Sequence, residues 1–256
     1  AAYYGIGSTG SRLLSGNHAL FEQLEQSLAN FLGYENVLLF NSGYQLNVGV
    51  MASLYGKKDL ILADKLVHAS LIDGMKLAEA EFKRFQHNNI AHLTTLLNQY
   101  RNQFDRCLIV TESLFSMDGD EAPLEEIQQL CEEFQCEFMV DEAHAMGVLG
   151  EYGMGLASSN NIKPTYLVGT FGKAFGTQGA FIASSNAHVD YIINGCRSFI
   201  YSTALPIPVI AATLESLKLM PKLDEQRQTL RYLAKVFRLG LKEKDYIVLG
   251  NHHIVS

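Results

Sequence analysis

Four side chains in this sequence could carry out covalent and acid–base chemistry together, and each stands at the end of an apolar run or at the start of a helix. Lys173 lies in Thr170-Phe171-Gly172-Lys173-Ala174-Phe175-Gly176, just after the apolar run Tyr166-Leu167-Val168. A lysine is rarely buried without a partner, and the glycines around this one (Gly169, Gly172, Gly176) let the backbone bend and a flat ligand approach. A desolvated lysine amine loses its proton easily and can attack a carbonyl. Asp141 closes the run Phe138-Met139-Val140, three residues before His144. A carboxylate facing a pyridine nitrogen holds that nitrogen protonated, and a nearby imidazole could bond a ring hydroxyl. His68 opens a helical stretch and could lie flat on a ring. Ser42-Gly43-Tyr44 opens another, so its free N–H groups could bind a phosphate.

Together these residues describe a site for pyridoxal 5'-phosphate (PLP). Singly, each has a plainer reading. Lys173 could sit on an ordinary strand-to-loop turn, Asp141 could cap the next turn, the histidines could be satisfied structural groups, and Ser42 could be only a helix cap. Two other phosphate motifs fail on their context. Gly172-Lys173 is followed by Ala174 where a P-loop needs Ser or Thr. Gly5-Ile6-Gly7-Ser8-Thr9-Gly10 fits the dinucleotide pattern, but no full strand precedes it and no acidic residue closes a second strand after it. No metal site is expected. His252 and His253 are adjacent, so on a strand they would point to opposite faces.

The elements that must position these groups alternate. Apolar periodicity predicts a helix from Asn17 to Gly33, with Asn17 as its cap, and a strand over Val37 to Phe40. A helix through Tyr55 follows, then a strand at Leu60 to Ala63 and a helix from His68 to Ala80. Strands follow at Phe82–Phe85, Cys107–Val110, Phe138–Val140 and Tyr166–Val168, with helices at Ile90–Tyr100 and Pro123–Phe134 between them. Such alternation implies an α/β fold with a mostly parallel sheet covered by helices on both faces. In such sheets ligands bind beyond the carboxyl ends of the strands, which would gather Ser42, His68, Glu112 to Ser116, Asp141 to His144, and Thr170 to Lys173 on one rim. Helices are expected over Pro206–Met220 and Leu223–Lys244, and a new strand over Tyr246–Leu249. The last reads as the start of a smaller C-terminal α/β domain, so residues 1–222 form the large domain and 223–256 lead out of it. The abrupt ends suggest a piece of a longer protein.

The net charge is -7, with 48% hydrophobic and 18% charged residues. That composition, with no basic cluster, argues against nucleic-acid binding, and no apolar stretch reaches the ~20 residues of a membrane span. Cys107, Cys131, Cys136 and Cys196 form no Cys-x-x-Cys pair and read as reduced thiols of a cytoplasmic protein.

At this point the chain resembles a known family. GSTGSRLLSGNH (7–18), LLFNSGYQLN (38–47), DKLVHASLIDG (64–74), ESLFSMDGDEAPL (112–124), VDEAHAMGVLGEYGMG (140–155), TFGKAFGTQGAF (170–181) and FIYSTALP (199–206) are similar to the α-oxoamine synthases. These are PLP enzymes of fold type I, with the class I/II aminotransferase fold. Phe82 to Asn88 and Phe199 to Thr203 are most similar to the biotin-synthesis branch. The resemblance implies that Lys173 carries PLP, Asp141 pairs with its ring nitrogen and His68 stacks on the ring. It places His144 and Ser116 near the ring oxygen, and gives the phosphate to Gly43, Tyr44 and Thr170. Thr203 would reach the phosphate of a second subunit in a homodimer. Lys173, His68 and His144 would be the catalytic groups, with Glu112 behind them. The substrates implied are L-alanine and a pimeloyl thioester, on coenzyme A or acyl carrier protein, condensed with loss of carboxylate. The sister branches and a non-catalytic scaffold subunit are the alternatives. Because the family's remaining C-terminal domain and its substrate-gripping arginine are missing, the chain alone is expected to keep the cofactor cradle and to be inactive.

Overall fold

The structure, a computed structural model, describes residues 2 and 4–256. Its centre is a sheet of seven strands in the order β1-β7-β6-β5-β4-β2-β3. The strands are β1 (Asn36–Phe40), β2 (Asp59–Asp64), β3 (Glu81–Phe85), β4 (Arg106–Glu112), β5 (Glu137–Asp141), β6 (Tyr166–Thr170) and β7 (Ala180–Ser184). Pairs β2–β3, β2–β4, β4–β5 and β5–β6 are parallel, whereas β7 runs antiparallel to both β6 and β1. All strands except β7 therefore point the same way, and their carboxyl ends share one edge.

Every residue of β2 and of β7 is buried, and β4 is buried from Cys107 on. Successive side chains alternate between the faces, so these strands are covered on both sides, as their unbroken apolar runs imply. β3, at the edge, shows Glu81 and Arg84 to solvent, and those charges protect an exposed edge from pairing with another chain.

Helices α1 (Ala19–Leu32), α2 (Gly43–Leu54), α3 (Ala69–Leu77), α4 (Ile90–Tyr100) and α5 (Leu124–Glu133) fall where the periodicity puts them, within two or three residues at each end. The first cap differs: His18, not Asn17, occupies the position, and its Nδ1 accepts the Leu20 N–H at 3.1 Å. Asn17 instead bonds Arg12 and Glu22. Gly33 closes α1 in the left-handed conformation at φ 72°, which favours glycine. After β5 come α6 (Leu156–Ser159), α7 (Asn186–Gly195), α8 (Arg197–Ile200), α9 (Ile207–Leu219) and α10 (Asp224–Lys242).

The strand expected at Tyr246–Leu249 does not form. Tyr246 is 62% and Ile247 91% exposed, and no strand lies beside this segment. Its backbone ties are local: Tyr246 N–H donates to Leu241 O at 3.2 Å, and Leu249 N–H to Ser256 O at 2.7 Å. A strand needs a partner to satisfy its N–H and C=O groups, and the chain here has none among the described residues. The cysteines are all free. Among the described residues no helix is long and apolar enough to cross a membrane.

Candidate active site

The shared carboxyl edge of the strands does gather the polar groups. One cavity of about 170 Å³ is lined by Gly43, Tyr44, Asn47, His68, Ser70, Glu112, Asp141, Ala143, His144, Thr170 and Lys173. The carboxyl ends of five strands, β1, β2, β4, β5 and β6, lead into it, which is the geometry a parallel sheet gives to a ligand.

Each side chain is aimed by its own element. β1 ends into Ser42, whose hydroxyl accepts the Gln45 N–H at 3.2 Å and starts α2. That leaves the first N–H groups of α2, at Gly43 and Tyr44, without acceptors inside the helix, at the positive end of its dipole. His68 caps α3: its Nδ1 accepts the Ser70 N–H at 3.2 Å and meets the Ser70 hydroxyl at 2.8 Å. With Nδ1 taken by the helix, the remaining ring proton belongs on Nε2. Glu112, at the end of β4, accepts the His68 N–H at 2.6 Å. Asp141, at the end of β5, accepts from Ala143 N–H through Oδ1 at 3.0 Å and from Asn47 Nδ2 through Oδ2 at 3.0 Å. Thr170, at the end of β6, donates its hydroxyl to Gly179 O at 3.0 Å and accepts from Gly172 N–H at 3.3 Å. That brace folds the loop carrying Lys173. Lys173 Nζ lies 2.6 Å from His144 Nε2.

The electrostatics suit a neutral base beside an anion. Burial lowers the Lys173 pKa, opposed by Asp141 and Glu112. His144 is pushed down to about 4, by burial first and then by Lys173, His253 and His68, so it is an uncharged imidazole at neutral pH. Glu112 is pushed up to about 8 by burial and by Asp141 beside it.

Of the residues read from sequence, Lys173, His68, His144, Asp141, Gly43, Tyr44 and Thr170 come together in the cavity. Ser116 and Thr203 do not line it. Ser116 is half-buried in the loop after β4, and Thr203 is exposed, with its carbonyl accepting Asn41 Nδ2 at 2.7 Å. Sequence reasoning missed Asn47 and Ser70. The available signal was position: Asn47 stands one helical turn after Gly43 among apolar neighbours, where a buried amide requires partners.

The site's donor set fits PLP. It offers an amine, an acceptor-only carboxylate for a protonated ring nitrogen, an imidazole on each side and a free helix N-terminus for a phosphate. The sequence model of aminotransferase class I and II matches residues 1–256. The chain belongs to that family. An 8-amino-7-oxononanoate synthase of Haemophilus ducreyi is 47% identical over 241 residues, covering 92% of this chain and 62% of the relative. This chain thus spans about three fifths of that relative's length. Among solved structures, serine palmitoyltransferase from S. paucimobilis with bound PLP–myriocin aldimine superposes with TM-score 0.92 at 32% identity, covering 96% of this chain and 64% of that one. An 8-amino-7-oxononanoate synthase of Francisella tularensis gives TM-score 0.82 at 32% identity, over 98% of this chain and 70% of that one. The fold-type I large-domain architecture, the class I/II family and its PLP chemistry are therefore as the sequence motifs imply.

Proposed function

We propose that this chain is the PLP-binding part of a cytoplasmic α-oxoamine synthase. The reaction joins L-alanine to a pimeloyl thioester, on coenzyme A or acyl carrier protein, with loss of carbon dioxide, giving 8-amino-7-oxononanoate. The observation that carries this reading is the placement of Lys173 2.6 Å from an uncharged His144, in one cavity with Asp141 and His68. The relatives' printed names support the choice of product.

When bound, PLP supplies an electron sink for the pair left as bonds to the substrate's α-carbon break. The protein's own residues do the rest. Gly43 and Tyr44 N–H groups, with Thr170, would hold the phosphate at the N-terminus of α2. Asp141, fixed by two donors, would hold a proton on the ring nitrogen. His68, locked by its cap bonds, would present a flat face, and His144 would bond the ring oxygen. Lys173 would hold the cofactor covalently through its amine. Its lowered pKa would favour the neutral amine, the form that can act as base toward a substrate's α-proton. Thr203 reaches the phosphate of a second copy in a homodimer. Residues 223–256 lead from this large domain towards a smaller one.

A serine-using reading has its own support, since serine palmitoyltransferase structures superpose with TM-scores of 0.92 and 0.94. The discriminating experiment loads the protein with PLP in heavy water and follows α-proton exchange of L-alanine, glycine and L-serine by NMR. Exchange of L-alanine well ahead of the others is expected. Exchange of L-serine alone would replace this reading with the sister one.

A further inference from the structure

Asn47 is 2% exposed, and its side-chain nitrogen donates twice: to Asp141 Oδ2 at 3.0 Å and to Ser70 Oγ at 2.9 Å. Both amide hydrogens are thereby used, and the two bonds leave in different directions. Accepting from Asn47 turns the Ser70 hydroxyl towards its other neighbour, His68 Nδ1, 2.8 Å away. The carbonyl end of the same side chain fares differently. Asn47 Oδ1 is buried and has no hydrogen-bond partner among the described residues. Buried polar atoms are almost always paired, and an exception calls for a reason. Turning the amide over would satisfy nothing better, because its oxygen would then face the Asp141 carboxylate, which only accepts.

We propose that Asn47 is the positioning residue of this site, one amide nitrogen joining the carboxylate on one side of the cavity to the imidazole on the other. This rests on the PLP reading. In that reading Asp141 and His68 act on one ring, from its nitrogen and from its face, so their mutual placement must be held to a fraction of an ångström. The bridge through Asn47 and Ser70 reaches only Nδ1, which α3 already occupies. The unpaired Oδ1 is the stability cost of aiming both hydrogens at functional partners.

The test is PLP affinity, read from the absorbance of the protein-bound cofactor, for the parent chain, Asn47→Leu and Ser70→Ala, beside the melting temperature of each without PLP. Asn47→Leu removes a bond to a charged group and is expected to weaken PLP by about 10- to 100-fold. Ser70→Ala removes one neutral bond and is expected to weaken it about 3- to 10-fold. Both unliganded variants should melt within about 3 °C of the parent, a combination that a purely structural role would reverse. Parental affinity in either folded variant overturns the proposal, and Ser70→Ala decides it alone if Asn47→Leu does not fold. A second readout needs no cofactor: in the unliganded parent both Asn47 side-chain amide protons should exchange slowly with heavy water. Fast exchange also overturns the proposal. A parent that binds no PLP, with slow exchange at Asn47, contradicts the cofactor reading and leaves the bridge standing.

Discussion

Glu112 shows how this site uses burial at the scale of single residues. It is 3% exposed beside Asp141, which is its neighbour in the β4–β5 register. Burial first, then Asp141, raises its pKa from 4.5 to about 8. The sign for stability follows. Between those values the folded chain holds a proton that the unfolded chain has released, so stability falls as pH rises across that window. Glu112→Gln keeps an acceptor for the His68 N–H but cannot ionise. Its melting temperature should exceed the parent's at about pH 8 to 9 and match it near about pH 4, as scanning calorimetry over a pH series would show. An advantage that does not grow with pH would count against a buried, protonated Glu112. Lys173, Asp141, His144 and His68 were legible in the sequence because each follows an apolar run or opens a helix, where a polar residue stands out. Asn47 and Ser70 were not, because one buried amide inside a helix leaves its apolar period almost unbroken.

Among elements, the contact between α2 and α3 matters most to the site, since these helices carry Asn47 and His68. It is closed by Gly74. A Cβ there would lie 2.7 Å from the Asn47 carbonyl oxygen and about 3.0 Å from the Met51 side chain, and backbone cannot retreat as a side chain can. Gly74→Ala is expected to cost about 1–3 kcal/mol through overpacking, lowering the melting temperature by several degrees and weakening PLP as α3 moves. An unchanged melting temperature would show that the helices are not in close contact. A second close arrangement sits behind the Lys173 loop. Glu142, fully buried, accepts from Ser113 Oγ at 2.6 Å and from the N–H groups of Leu156 and Ala157 at 3.1 and 2.6 Å. Glu142→Ala strands three donors and should destabilise the fold by about 2–4 kcal/mol, measurable by urea unfolding. The parallel strands were legible because doubly covered strands are continuous apolar runs. β7 was not assigned: its five residues follow a glycine-rich loop and run against the others, so no βα alternation announces them. Tyr246–Leu249 misled for the opposite reason, as an apolar run with nothing beside it to pair with.

Across the whole molecule, stability is uneven, and the chain's outer parts are tied on by few groups. α10 buries only Arg227 and Ala234. Arg227 donates to Met220 O at 2.8 Å and pairs with Asp224, while Leu230, Leu233, Val236 and Phe237 remain exposed. Amide exchange in α10 should therefore be faster than in α1 or α2, and equal protection would show a better-docked helix. His87, just past the carboxyl end of the edge strand β3, is clasped between Asp64 at 2.9 Å and Asp120 at 2.7 Å. Burial alone would lower its pKa, but hydrogen bonds to both carboxylates leave it raised above 6.5. The clasp is thus fully present below about pH 6.5 and is lost as pH rises through the raised value. His87→Gln should lose melting temperature relative to the parent at acidic pH and little at alkaline pH. The central claim is that this scaffold delivers PLP to Lys173. The direct measurement is mass spectrometry of the chain after incubation with PLP and borohydride reduction, beside Lys173→Ala. One cofactor-derived addition on the peptide containing Lys173, absent from the variant, is the predicted result. Labelling spread over other lysines, or equal labelling of Lys173→Ala, would contradict it.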